Sequence, residues 1–356
     1  MSDASDTPRA GIVVPVAVLT PALDFLTESI GLRVEDVFPA DDPRRCTVSG
    51  FGCRLHLELG TPQQTTIRLG TMDPELLNRG VVRGPDGLSV EFEKASSTVQ
   101  LPPLASSFSL THAADSWHIG RAGMNYRDLV PDRQGGAVIA SHIRIPGAGP
   151  VSDYVHFHEI AFQLIFCRRG KVTVVYEDQG EPFVLTAGDC VTQPPQIRHR
   201  VLESSDDLEV IEIGYPAEHI TRADPSTSLP TSTYDPSRSW DGQTFVHHRH
   251  SEAHSDVIAT GVNRIDTGVA AATHNLADVS RIDIEASTWE CPTAAEKEFV
   301  LLVVLEGNGD VRVNGQTESP MSPLAPASAL VVPVRHQATV TSIGRLSLLQ
   351  VRIRTI

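Results

Sequence analysis

Basic residues are scarce in this chain. Its 356 residues carry 29 Lys and Arg against 44 Asp and Glu, a formal net charge of −15. Proteins that read nucleic acid or sit on anionic membranes present a basic patch, and here only short pairs such as Arg44-Arg45 and Arg168-Arg169 occur. Neither nucleic acid nor membrane is therefore an expected partner. No apolar run approaches the ~20 residues of a membrane span. The opening MSDASDTPRAG lacks the basic-then-apolar order of a secretory signal. The five cysteines, Cys46, Cys53, Cys167, Cys190 and Cys291, fit neither a disulfide framework nor a zinc ribbon by number or spacing. Reduced, mostly buried thiols and a cytoplasmic location are expected. A hydrophobic content of 40% is enough for packed cores, and the length suggests two or three domains.

The densest chemical signal lies between His156 and His199. His156 and His158 are two residues apart, so on a strand both side chains point to one face while Phe157 points to the other. His199 comes from a later strand and can close a set of three. Imidazoles that converge from separate strands make a metal site with open positions.

This spacing resembles the cupin superfamily. The pattern runs His156, His158, Gln163, Gly170, then the Gly188-Asp189 turn, Pro194 and His199. One departure matters: the position where that family usually has glutamate holds Gln163. The resemblance implies a jelly-roll β-barrel with a divalent metal on His156, His158 and His199. Gln163 would be a weak fourth ligand or a hydrogen-bond donor to substrate. Iron(II) is the expected metal, with zinc, manganese, nickel and copper as alternatives.

A repeat extends the reading. Gly123-Met-Asn-Tyr-Arg-Asp128 matches Gly261-Val-Asn-Arg-Ile-Asp266, and Arg144 and Arg281, Gly170 and Gly307, and His199 and His336 each differ by 137. A constant offset implies two barrels of one type, a bicupin. Adding 137 to His156, His158 and Gln163 gives Thr293, Ala295 and Val300, which cannot hold a transition metal. The second barrel is expected to be structural.

The first hundred residues differ. GIVVPVAVL reads as a strand. Thr20 is placed to cap a helix with Pro21 at its first position, and Gly31 is placed to end it. Alternating segments follow, ending in LSVEFEK after Pro85-Asp86-Gly87. Residues 11 to 95 resemble one module of the vicinal-oxygen-chelate, or glyoxalase-like, superfamily. Glu91 matches a ligand position of that family, but Val14 and Val16 occupy the other and cannot coordinate. A structural or dimerising role is expected, which would make a homodimer. The expected fold is thus mainly β: two cupin barrels (105–220 with the metal site, 240–356 degenerate) behind a small α+β (βαβββ) module, 1–98. Stretches 95–107 and 221–239, rich in Ser, Thr and Pro, read as connectors.

Other residues are candidates for the pocket. Tyr126 and Arg127 lie in the arm before the barrel, where an arginine can clamp a carboxylate; the alternative is a structural ion pair with Asp128 or a neighbour. His142 and Arg144 alternate on a strand that would line the same cavity. Cys167 shares a face with Gln163 and is expected to be an inert packed thiol. His247, His248, His250 and His254 read as surface histidines. The expected function is a metal-dependent oxidoreductase, a dioxygenase acting on a small oxygenated or aromatic anion, with Gln163, Tyr126 and Arg127 at the reacting centre. Ligand binding or sensing without turnover, and metal-dependent isomerisation, remain open.

Overall fold

The computed structural model of the chain describes residues 11–71, 73–94, 99–120, 123–314 and 321–355. Most of the N-terminal MSDASDTPRAG segment, and 95–98 of the first expected connector, lie outside these. Two compact units are present, Met1–Thr98 and Val99–Ile356.

The first unit opens with β1 (Ile12–Val16), α1 (Leu19–Asp24), β2 (Arg33–Phe38), β3 (Arg45–Gly50) and β4 (Cys53–Leu59), the βαβββ order expected. It continues with β5 (Thr65–Thr71), α2 (Pro74–Arg79), β6 (Val81–Arg83) and β7 (Leu88–Lys94). Sheet orders are β1-β4-β3-β2 and β5-β7-β6. The helix differs from expectation at its start. It begins at Leu19 with Val18 as N-cap, and no side chain caps it, so Thr20 lies inside the first turn. Pro21 tolerates this because first-turn N–H groups have no intrahelical acceptor. The helix widens over Phe25–Ile30 and stops at Gly31, whose φ of 95° is the left-handed value glycine adopts freely. Val14 and Val16, which face Leu26, Val48 and Leu57 in one apolar cluster, are core residues.

The second unit holds both barrels. The first half contributes β8 (Ser109–Thr111), β9 (His118–Ile119), β10 (Asn125–Asp128), β11 (Ile139–Arg144), β12 (Gly149–Pro150), β13 (His156–Glu159) and β14 (Phe162–Arg169). It continues with β15 (Lys171–Tyr176), β16 (Phe183–Thr186), β17 (Cys190–Thr192), β18 (His199–Ser204), β19 (Glu209–Tyr215) and β20 (Ile220–Ala223). The second half adds β21 (Ser239–Trp240), β22 (Gln243–Thr244), β23 (His247–His248), β24 (Asp256–Ala259), β25 (Val262–Asp266) and β26 (Ala277–Glu285). Last come β27 (Thr288–Glu290), β28 (Glu298–Asn314), β29 (Ser322–Leu324), β30 (Ala329–Val332) and β31 (Gln337–Arg354).

The duplication is visible strand by strand. One sheet runs β23-β17-β14-β19-β11-β10-β9, and its counterpart runs β8-β30-β28-β31-β26-β25-β24. Each edge strand at the head of these orders comes from the other half: β8 pairs with β30, and β23 pairs with β17. The two sheets meet through Phe162, Leu164, Ile211 and Ile213 on one side and Phe299, Leu301, Leu349 and Val351 on the other, all in one buried cluster. The second barrel's interior is packed with Val262, Ile282, Trp289, Val300, Leu302 and Leu346. Residues 293–296, at the position of β13, form no strand.

The first barrel's opposite sheet runs β16-β15-β18-β13-β20. Its last strand corrects the connector expected at 221–239, because Ile220–Ala223 pairs with β13 in full register from Glu159 to His156.

Candidate metal centre

The three histidines meet because of strand register. His156 sits directly opposite His199 across the β13–β18 pair, and His158 projects from the same face of β13 as His156. Ring centroids are 4.3 Å apart for His156 and His199, and 5.3 Å for each with His158. One nitrogen from each ring lies within 4.8 Å of the others, and all three residues are buried. Phe157 points away, and the Arg198 guanidinium stacks over it at 4.4 Å.

Each ring is held by its Nδ1. His156 Nδ1 lies 2.8 Å from the Tyr154 carbonyl, and His199 Nδ1 lies 3.0 Å from the Ile197 carbonyl. A carbonyl only accepts, so Nδ1 carries the proton in both rings and the lone pair falls on Nε2. His158 Nδ1 is 2.9 Å from the Thr221 hydroxyl on β20. Such outer partners fix the tautomer and the aim of an imidazole that binds metal. The donor set fits a divalent transition metal: neutral imidazoles, buried, and oriented from behind.

A cavity of about 80 Å³ opens beside the triad. Its polar lining comprises the three histidines with Tyr126, Tyr176, Gln193 and Glu212; residues such as Met124, Ile143, Ile165 and Val210 complete it. Tyr126, on β10, thus borders the cavity. Gln163 faces the barrel interior, but its Nε2 donates to Glu212 Oε1 at 2.6 Å, and its buried Oε1 has no hydrogen-bond partner.

Arg127 is not at the cavity, which corrects its expected role as a carboxylate clamp. Strand alternation sends Tyr126 inward and Arg127 to the opposite face of β10. There it is 1% exposed and donates to the carbonyls of His112 and Ala327, both at 2.7 Å. His142 and Arg144 are corrected for the same reason: Ile143, between them, lines the cavity. Arg127 also donates to His142 Nδ1 at 3.1 Å, so the proton of that neutral ring sits on Nε2, which donates to Glu209 Oε2 at 2.9 Å. Burial lowers the His142 pKa and keeps the ring uncharged. Cys167 is a packed thiol: burial, with Asp189 nearby, pushes its pKa up to about 12.

Among the other histidines, His254 is exposed and pairs with Asp256 at 3.2 Å. His247 and His248 on β23, and His250 just beyond it, are half-buried, which corrects the surface position expected of them, and none of the four belongs to a metal-holding group among the described residues. In the second barrel His336 keeps its posture, with Nδ1 2.9 Å from the Val334 carbonyl, the counterpart of His199 and Ile197.

Thr221 and Glu212 escaped the sequence reading. Thr221 lay in a stretch whose composition reads as connector. Glu212 alternates with Val210 in EVIEIGY, and strand alternation alone marks it as an inward carboxylate on an otherwise apolar face.

The geometry defines a β-barrel with a three-imidazole pocket, and residues 142–214 match the cupin domain family. No curated protein matches the chain by sequence. Solved structures with a similar fold include an oxalate decarboxylase of Lactobacillus farciminis in complex with formate, at 11% identity and a TM-score of 0.51, over 72% of this chain and 88% of that one. A salicylate 1,2-dioxygenase of Pseudaminobacter salicylatoxidans matches at 16% identity and a TM-score of 0.51, over 71% and 86%. An oxalate decarboxylase of Bacillus subtilis matches at 11% identity and a TM-score of 0.52, over 74% and 80%. At these identities the likeness is one of fold, the two-barrel jelly roll.

Proposed function

We propose that the first barrel is a mononuclear divalent-metal centre, held by His156, His158 and His199, and that it serves a dioxygenase acting on a small oxygenated or aromatic anion. The observation that carries this reading is the set of three buried imidazoles, each fixed through Nδ1 to a carbonyl or hydroxyl behind it. When bound, the cation supplies Lewis acidity and a template on which substrate and dioxygen meet.

The residues do the rest. The three neutral imidazoles bring no charge of their own to the dication, which leaves positive charge for an anionic, chelating guest. Apolar walls exclude water and fit the carbon skeleton of such a guest. Tyr126 lines the cavity, and its hydroxyl, which donates to Met124 Sδ at 3.8 Å, is the group this reading assigns to a substrate oxygen. The cavity of about 80 Å³ selects for a molecule of few atoms. Small carboxylates named with proteins of the same fold, salicylate and oxalate, belong to that class. The second barrel, with Thr293, Ala295 and Val300 at the ligand positions, is assigned a structural role. So is the first unit, where the Glu91 carboxylate is engaged by Arg68 at 2.9 Å and Val14 and Val16 are buried.

Oxygen uptake tests the reading. The protein supplied with Fe(II) and a panel of small hydroxylated carboxylates is expected to consume one dioxygen per substrate without added reductant, since both oxygen atoms enter the product. His156→Ala should lose both metal and uptake. Turnover that continues without oxygen would assign an isomerase, and ligand binding without turnover would assign a binding protein; either result overturns the dioxygenase.

A further inference from the structure

Among the described residues that line the cavity, Glu212 is the one carboxylate. It does not belong to the tight histidine group, yet it opens on the same space, and Gln163 holds it through a 2.6 Å hydrogen bond from Nε2. An amide nitrogen cannot coordinate a cation, so this bond commits one end of Gln163 to the carboxylate.

The duplicated half supplies an internal control. In the first barrel Ile165 pairs with Glu212. In the second, Leu302, which is Ile165 shifted by 137, pairs with Gln350. The barrel without the imidazole pair thus has an uncharged amide where the first has its acid, and that amide donates to Cys291 Sγ at 3.2 Å. Gln163 is replaced by Val300 in the same barrel. Loss of the histidines, the acid and its tether together is what one functional unit predicts. A glutamate serving only the packing of β19 would not be expected to change together with them.

We propose that Glu212 is the acidic member of the metal centre, the carboxylate that faces the bound cation and offsets part of its charge, and that Gln163 is a positioning residue that presents it. This rests on the reading of the first barrel as a metal site. A dication beside three neutral imidazoles in a largely enclosed cavity of low dielectric is stabilised by a counter-charge. Glu212 provides it from β19, one strand away from Gln163 on β14.

Calorimetric titration of the metal-free full chain with Co(II), read together with the Co(II) absorption spectrum, separates the possibilities. Glu212→Gln is expected to weaken Co(II) binding by about 10–100-fold and to change the spectrum. Gln163→Leu should weaken it as well, and the double variant Gln163→Leu/Glu212→Gln should be no worse than Glu212→Gln alone, since tether and acid act as a unit. The exchanged pair Gln163→Glu/Glu212→Gln returns a carboxylate to the cavity from the neighbouring strand and should recover binding. Glu212→Gln binding Co(II) as tightly as the native chain, with an unaltered spectrum, overturns the proposal and leaves the histidine centre standing. A native chain that binds no Co(II) removes the metal centre itself, and the proposal with it.

Discussion

Glu209 and Glu212 stand three residues apart on one strand and meet different partners, because alternation sends them to opposite faces. Glu209 joins His142, Arg144 and Arg168 on the face turned away from the cavity. Burial alone would raise its pKa, but the hydrogen bond from His142 and the guanidiniums of Arg168 and Arg144 outweigh that and bring it to about 2. The sign of the pH dependence follows. A carboxyl lowered from 4.5 to about 2 contributes stability that is complete above pH 4.5 and disappears as the pH falls toward 2. Glu209→Gln should therefore be less stable than the native chain at pH 7 in urea unfolding, and the gap should narrow across that acid window. A gap that stays constant from pH 7 to about 2 would mean that the ion cluster contributes little. At this scale the sequence discloses residue types and faces but not long-range partners. The triad was legible because two of its members share a strand. The destination of Arg127 was not, since Ala327 lies 200 positions away.

At the scale of elements, the sequence exposes turns better than strand ends. Gly170 and Gly307 were matched by their offset, and both adopt left-handed backbone, φ 74° and 81°. Yet Gly170 separates β14 from β15, whereas Gly307 lies inside the continuous strand β28, at a register shift between Gly307 and Asn308. A bulge and a break look alike in sequence because both need the same conformation. Space around the two glycines differs. A Cβ on Gly170 would press on the Ser205 side chain at 2.5 Å and Leu208 Cα at 2.9 Å, and one on Gly307 would be driven into the carbonyl of Arg345. Left-handed backbone costs a non-glycine residue about 1–2 kcal/mol by itself. Gly307→Ala is expected to lose more than that and to exceed Gly170→Ala, whose polar neighbour can rotate aside; thermal melts of the two variants check the order. The boundary at 221 was illegible for a related reason: ITRA is half polar, and its strand forms because β13 offers an open edge.

For the whole molecule, the offset of 137 foretold two like barrels but not how closely they join. Phe299 is buried in a cluster that draws on both halves. Phe299→Ala should cost about 3–5 kcal/mol. It should lower the melting temperature of the entire 99–356 unit in one calorimetric transition, with metal affinity changed little below that transition. Two separated transitions would show the barrels to be thermodynamically independent. The strands at the sheet margins carry this further. Since β8 completes the sheet of the later half and β23 that of the earlier, a ribosome that has released only the first 240 residues has made a vessel whose missing stave is still unsynthesised. Each vessel is finished with a stave from its sister, and a foreign copy put in place of either would lack that closing piece unless the borrowed stave travelled with it.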